Sequence, residues 1–324
     1  MGHRRGGVGK TQNIFITSLF PPQQRGLMLG TWSTVGPLTG FLGPLLAGFI
    51  ISKWGWEAAF LPPLFSGLIG LIVISRTIPR TEIDFSFNKS SLIYNFDWLG
   101  VLLLAGAACS FIFFLSSGPI TGVDAMRDIR LIVASTLLMI MFLLRVYYYS
   151  APFLPKELFK NRTYLLGTFA AAMRMVSMGS IGFLIPLYLV DVKGIPIVKL
   201  GGLLMIGAGS MTLVVRIAGG LADRIDGRWL VICGLIGQTT TLIAFSQFPK
   251  EASIWYICFS LSLHGFSAGL MLATLHKIVM SSVEELKTGA AAGLYGMFRF
   301  LGAATGTALT GVLLQLELDA GASV

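Results

Sequence analysis

GTWSTVGPLTGFLGPLLAG, residues Gly30–Gly48, carries no charged side chain and lies inside an apolar run from Leu27 to Ser52. At a rise of about 1.5 Å per residue, such a run crosses the roughly 30 Å hydrocarbon core of a bilayer. Gly36, Gly40, Gly43 and Ala47 recur at spacings of four, three and four, which places them on one narrow helical face. A face of such small residues predicts that a neighbouring helix approaches it backbone to backbone, as helices associate in lipid. The Gly43-Pro44 pair predicts a kink, because Pro44 brings no N–H to the turn before it.

The rest of the chain has the same character. Of 324 residues 54% are apolar and only 12% charged, and the mean hydropathy is +0.78. No soluble core needs so much apolar side chain, so the solvent for most of it is lipid. Nine apolar runs of spanning length follow one another, at 27–52, 57–75, 98–117, 129–149, 164–190, 198–222, 229–247, 253–276 and 288–315. All six tryptophans fall near the ends of runs, where an interfacial aromatic belt would put them. The net charge of +9 is explained by Lys and Arg in loops, and no nucleic-acid partner is implied. Loops 76–97, 150–163, 223–228 and 277–287 carry more of these cations than the alternate set, which puts the start of 27–52 in the cytoplasm and the C-terminus outside. Cys109, Cys233 and Cys258 sit inside apolar runs and imply no disulfide frame.

Several motifs carry a family resemblance. Gly30, Thr39, Gly43-Pro44 and Ala47-Gly48 keep the spacing G-x8-G-x3-GP-x2-GG, with Thr39 and Ala47 as small stand-ins for glycine. This resembles the antiporter motif on the fifth helix of proton-coupled drug exporters of the major facilitator superfamily. Asn95 to Gly100, NFDWLG, is similar to the entry to helix seven in that superfamily's fourteen-span drug:proton antiporter branch, and Phe159 to Arg162, FKNR, to the segment before its ninth helix. Gly219, Asp223, Arg224, Gly227 and Arg228 resemble its loop motif G-x-L-A-D-R-x-G-R-R, with Asp226 inserted. In physical terms that motif sets an acid at one helix end and cations at the next, pinning two helices in one transport state. Arg299, Gly302 and Gly306 match the RxLGxxxG of helix thirteen.

The resemblance implies an all-α polytopic membrane protein with the major facilitator fold, incomplete at both ends. Residues 1–75 would hold a remnant of helix four and the end of the N-terminal bundle, 76–163 a central linker with two extra spans, and 164–324 a C-terminal bundle lacking its last helix. RGGVGKT near the N-terminus imitates a phosphate-binding loop, but Arg4 replaces the first required glycine and no βα pattern surrounds it.

Polar residues within the runs are the candidates for chemistry. Arg174 lies ten residues into its run, about 15 Å deep. A lone Arg at such depth costs about 2.5–3.5 kcal/mol on insertion scales, so it should face protein or water, as a structural cation or as a substrate or coupling group. Arg299 reads as a packing or gating cation. His264, central in 253–276, is able to titrate near neutrality, although a hydrogen-bonded structural role is the commoner one. The 15 acidic residues all fall in loops, tails or run edges, leaving no carboxylate near the midplane. The expectation is that this polypeptide alone does not exchange drug for protons, with His264 the one central group able to substitute. No catalytic arrangement, metal-ligand spacing or cofactor motif is present in the sequence, so no enzyme is expected. The expected function is multidrug efflux from the plasma membrane, exporting amphipathic small molecules in exchange for protons, with the missing transporter segments or accessory efflux proteins as candidate partners. The alternatives are an organic-anion transporter of the same superfamily and a truncated chain that inserts but transports nothing.

Overall fold

The computed structural model describes residues 21, 24–77, 96–115, 128–150, 152–249, 251–284 and 287–319. The N-terminal segment read above as a helix-four remnant, and most of loop 76–97, lie outside the described residues. Helices dominate, and among the described residues there is no strand. In chain order they are α1 (Arg25–Ser33), α2 (Val35–Trp54), α3 (Leu61–Thr77, after a 3-10 turn at Trp56–Phe60), α4 (Trp98–Leu115), α5 (Ile129–Tyr148), α6 (Arg162–Leu187, running into a π turn at Tyr188–Val192), α7 (Ile197–Ala222), α8 (Gly227–Ser246), α9 (Ile254–Ser281) and α10 (Thr288–Asp319).

Among the described residues, 8 helices are long and apolar enough to cross a membrane, with mean hydropathies from 1.4 to 2.3. Their outer faces carry large exposed apolar side chains such as Leu213, Ile217, Phe259 and Phe300. Water would not tolerate that surface, whereas lipid does. Trp54, Trp56, Trp98, Trp229 and Trp255 are exposed at helix ends, as an aromatic belt requires. Trp32 departs from that pattern: it lines an interior cavity and meets the His276 ring edge-on at 5.9 Å.

Run 27–52 forms α1 and α2, joined at Thr34 with the backbone bonds Thr34 N→Gly30 O and Leu38 N→Thr34 O intact. The interruption lies where Pro37 leaves the Ser33 carbonyl without its i+4 donor. The helix then runs unbroken past Gly43-Pro44, so the break falls earlier than the kink expected there. Polar side chains start several other helices. Asp128, Asn161, Asp226 and Ser253 accept from backbone N–H groups of α5, α6, α8 and α9. Asp226, the extra residue in the loop motif, is thus the cap of α8.

The FDWLG segment has a similar logic. Asp97 accepts from Gly100 N at 2.9 Å and from Arg145 Nε of α5 at 2.6 Å, tying the start of α4 to the end of α5. Burial raises the Asp97 carboxyl, but Arg145 and the Gly100 and Phe153 N–H groups outweigh it and hold it below the usual carboxylate value. A Cβ on Gly100 would collide with that carboxylate, which explains the glycine.

α6 packs along α10, and α7 along α9, through glycines. A Cβ on Gly302 would fall on the Ala172 carbonyl, one on Gly306 on the Val176 carbonyl, and one on Gly179 on the Ala303 carbonyl. Gly265 faces the Gly207 carbonyl in the same way. α1 crosses α7 with Gly26 and Gly30 against Gly219. The stripe expected to make such a contact on α2 does not make one with any described residue. Gly36 and Gly43 meet nothing within 4 Å, and Gly40 only the Ala208 methyl at 3.9 Å. Gly36 and Gly40 instead form the wall of the cavity.

These environments predict opposite signs for one substitution. Gly306→Ala should destabilise by about 1–3 kcal/mol through overpacking, whereas Gly43→Ala should be neutral or gain up to about 1 kcal/mol of helix propensity. Thermal unfolding of the two variants in detergent compares them, and equal shifts would remove the case for a close α6–α10 contact.

Candidate functional site

The loop motif between α7 and α8 builds a junction at one end of the bundle. Asp223 ends α7. Its carboxylate accepts from Gly26 N at 2.9 Å and Leu27 N at 2.8 Å, the first free donors of α1. Lys277 of α9 donates to the same carboxylate at 2.6 Å and to the Ala222 carbonyl at 2.6 Å. One buried charge therefore holds three helices. Gly26 and Gly219 permit it, because a side chain on either would separate α1 from α7. The cation is not one of the arginines the motif suggests: Arg224 is exposed, and Arg228 stands 4.0 Å from Asp226 with most of its side chain in solvent. Gly227 lies against Thr274 and Ile278 of α9. Lys277 gave no signal in the sequence beyond its charge, since its partner is 54 residues away.

Between α1, α2, α6, α7 and α9 lies a cavity of about 690 Å³, which Arg299 of α10 also lines. Met175, Met178, Ile181, Met211 and Leu261 give it apolar walls. Its polar groups are few: Ser33, Arg174, His264, His276 and Arg299. That mixture, and a volume within the roughly 300–1,000 Å³ usual for ligand pockets, suits an amphipathic small molecule.

Arg174 is only 2% exposed, at the middle of α6. Its Nη1 and Nη2 point to the thioethers of Met178 and Met175, at 2.9 and 3.3 Å. Its own carbonyl accepts from Ser177 Oγ at 3.1 Å, and Gln238 of α8 bonds the Ser177 hydroxyl, locking this turn of α6. His264 is 7% exposed and shares a contact of 3.3 Å between its Nδ1 and Thr241 Oγ1, with the Phe245 ring edge-on. Arg299 sits with its Cζ 5.6 Å over the Tyr295 ring, and His276 packs on that ring at 5.0 Å. Arg174, His264 and Arg299, far apart in sequence, thus border one space. Thr39 and Gly43 lie outside that lining, Thr39 bonding its own helix at Gly36 O. His276 was missed, although Ala268, Leu272 and His276 recur at steps of four from His264 and mark one face of α9.

A family model, the Major Facilitator Superfamily, matches residues 10–307. The chain belongs to the major facilitator superfamily. Its relatives in that superfamily include a riboflavin transporter of Clostridioides difficile, 24% identical over 90% of this chain and 62% of the relative. The tetracenomycin C resistance and export protein of Streptomyces glaucescens is 28% identical over 91% of this chain and 54% of its own length. A multidrug resistance protein B homolog of Mycobacterium tuberculosis is 26% identical over 90% and 53%. The chain thus spans roughly half to three fifths of the relatives it matches. Members of the superfamily are transporters, not enzymes, and this chain is a multi-pass membrane protein.

The Asp223 junction yields a direct expectation. Asp223→Ala removes the acceptor for two helix N–H groups and for Lys277, and should cost about 1–3 kcal/mol. Lys277→Met, which leaves Asp223 on the α1 N–H groups, should cost less. Chemical unfolding of both variants in detergent checks the order. A larger loss in Lys277→Met would show that α1 is not held by Asp223.

Proposed function

We propose that this chain works in a multidrug efflux transporter of the plasma membrane, exporting amphipathic small molecules in exchange for protons. The observation that supports this best is the cavity, apolar with a few convergent polar groups, placed where α1 and α2 meet α6, α7 and α9. The printed functions of the relatives, tetracenomycin C export and multidrug resistance among them, agree with such a cargo. Residues 1–75 are assigned to the N-terminal bundle, 164–324 to the C-terminal bundle, and 76–163 to the linker with its two extra spans.

In this reading the Asp223 end is cytoplasmic and acts as a gate. While the carboxylate holds the start of α1, α1 and α7 stay in contact at Gly26, Gly30 and Gly219. Release of that charge lets the two bundles separate at this end and rocks the cavity toward the other opening. Among the described residues no carboxylate lines the cavity and two imidazoles do, His264 and His276, of which His264 is taken as the proton carrier in this reading.

Counterflow of an amphipathic dye into proteoliposomes of the purified chain tests transport without any ion gradient. The expected result is dye exchange above protein-free vesicles, with no acceleration by an imposed pH gradient. Absence of exchange would favour a chain that inserts without transporting. Acceleration by the gradient that disappears in His264→Gln would make His264 the coupling group.

A further inference from the structure

The cavity is electrostatically lopsided. Two guanidiniums, Arg174 and Arg299, and two imidazoles, His264 and His276, line it, and among the described residues no Asp or Glu does. Arginine does not lose its proton in proteins, so two positive charges face this space at any working pH. Arg299 lies over the Tyr295 ring at 5.6 Å, but neither arginine is paired with a carboxylate among the described residues. Among the described residues, Nε of Arg174 and Nε of Arg299 are buried without a hydrogen-bond partner. The remaining Arg174 donors reach only thioether sulfurs, which are weak acceptors. A buried cation normally has a partner, because its desolvation is otherwise uncompensated.

An oxyanion would supply what is missing. A guanidinium presents its N–H donors in a planar fork that matches the two oxygens of a carboxylate, giving charge-assisted bonds stronger than neutral ones. The walls beside Arg174 suit the rest of such a molecule. Met175, Met178 and Met211 are unbranched and adapt to varied shapes, and Trp32 offers an aromatic face. A permanently cationic compound would meet two like charges with nothing to offset them.

Building on the reading of this cavity as the cargo site, we propose that it selects amphipathic organic anions, with Arg174 and Arg299 holding one carboxylate between them and the methionine-lined wall taking the apolar body. Arg174 and Arg299 are then specificity-determining residues, and neutral analogues bind more weakly to the same space.

The test uses the full chain in nanodiscs of zwitterionic lipid, with 2-naphthoate and its neutral isostere 2-naphthamide as probes in equilibrium binding. The expected result is a preference for the acid of about tenfold or more. That preference should be lost in Arg174→Gln and in Arg299→Gln, while naphthamide still binds both, which shows that each variant keeps its cavity. Arg130→Gln, an exposed position on α5, should leave the preference unchanged. Equal binding of acid and amide to the unaltered chain would overturn the anion site but not the cargo cavity. A preference that survives both arginine substitutions would overturn it equally. Failure of both probes to bind the unaltered chain at all would overturn both the anion site and the cavity reading beneath it.

Discussion

Hydrocarbon offers no hydrogen-bond partners, and every other feature of this chain answers to that constraint. Backbone groups in the spans must be satisfied within their own helices, so the described architecture is helical throughout. Apolar burial cannot drive helices together in lipid as it does in water, so contact comes from close van der Waals approach. The glycines at the α6–α10, α7–α9 and α1–α7 crossings supply it by letting backbones touch. Polar side chains are then gathered inward, or into junctions such as Asp97 with Arg145 and Asp223 with Lys277.

Much of the fold was legible in the sequence because hydropathy reports this constraint directly. The runs from 57–75 onward correspond to the eight apolar helices, with differences of a few residues at their ends. The superfamily was legible too, from the Asp223 loop and the glycine spacings. What the sequence concealed were properties of pairs. Nothing local says that Asp223 takes Lys277 and the α1 N–H groups instead of Arg224 or Arg228. The Gly36, Gly40 and Gly43 stripe shows the limit of periodicity. It identifies a face of small residues, but the same lack of side chain serves a close helix contact at Gly302 and a cavity wall at Gly36. Arg174 could be judged costly from depth alone, whereas its neighbours Arg299 and His276 emerge only when α6, α9 and α10 are packed together.

The junction and the cavity share helices, and that sharing links them mechanically. α1 is held at its first turn by Asp223, and Trp32 and Ser33 at its other end line the cavity. α7 likewise ends at Asp223 and contributes Leu204, Gly207, Ala208 and Met211 to the cavity wall. In the proposed gating, a change at the charged end would be carried along these two helices to the cavity.

The central claim is that this interior space is an aqueous, accessible cavity and not a seam filled by lipid or a packing void. Thiol accessibility tests it most directly, with Cys109, Cys233 and Cys258 first replaced by alanine. Single cysteines at Gly36 and Gly182, which line the cavity with open space beside them, are compared with one at Leu213, which is 73% exposed on the outer face of α7. A small charged methanethiosulfonate reagent reacts with the ionised thiol and so reports water. The account predicts rapid modification of Gly36→Cys and Gly182→Cys and little of Leu213→Cys. Modification of Leu213→Cys alone would contradict it.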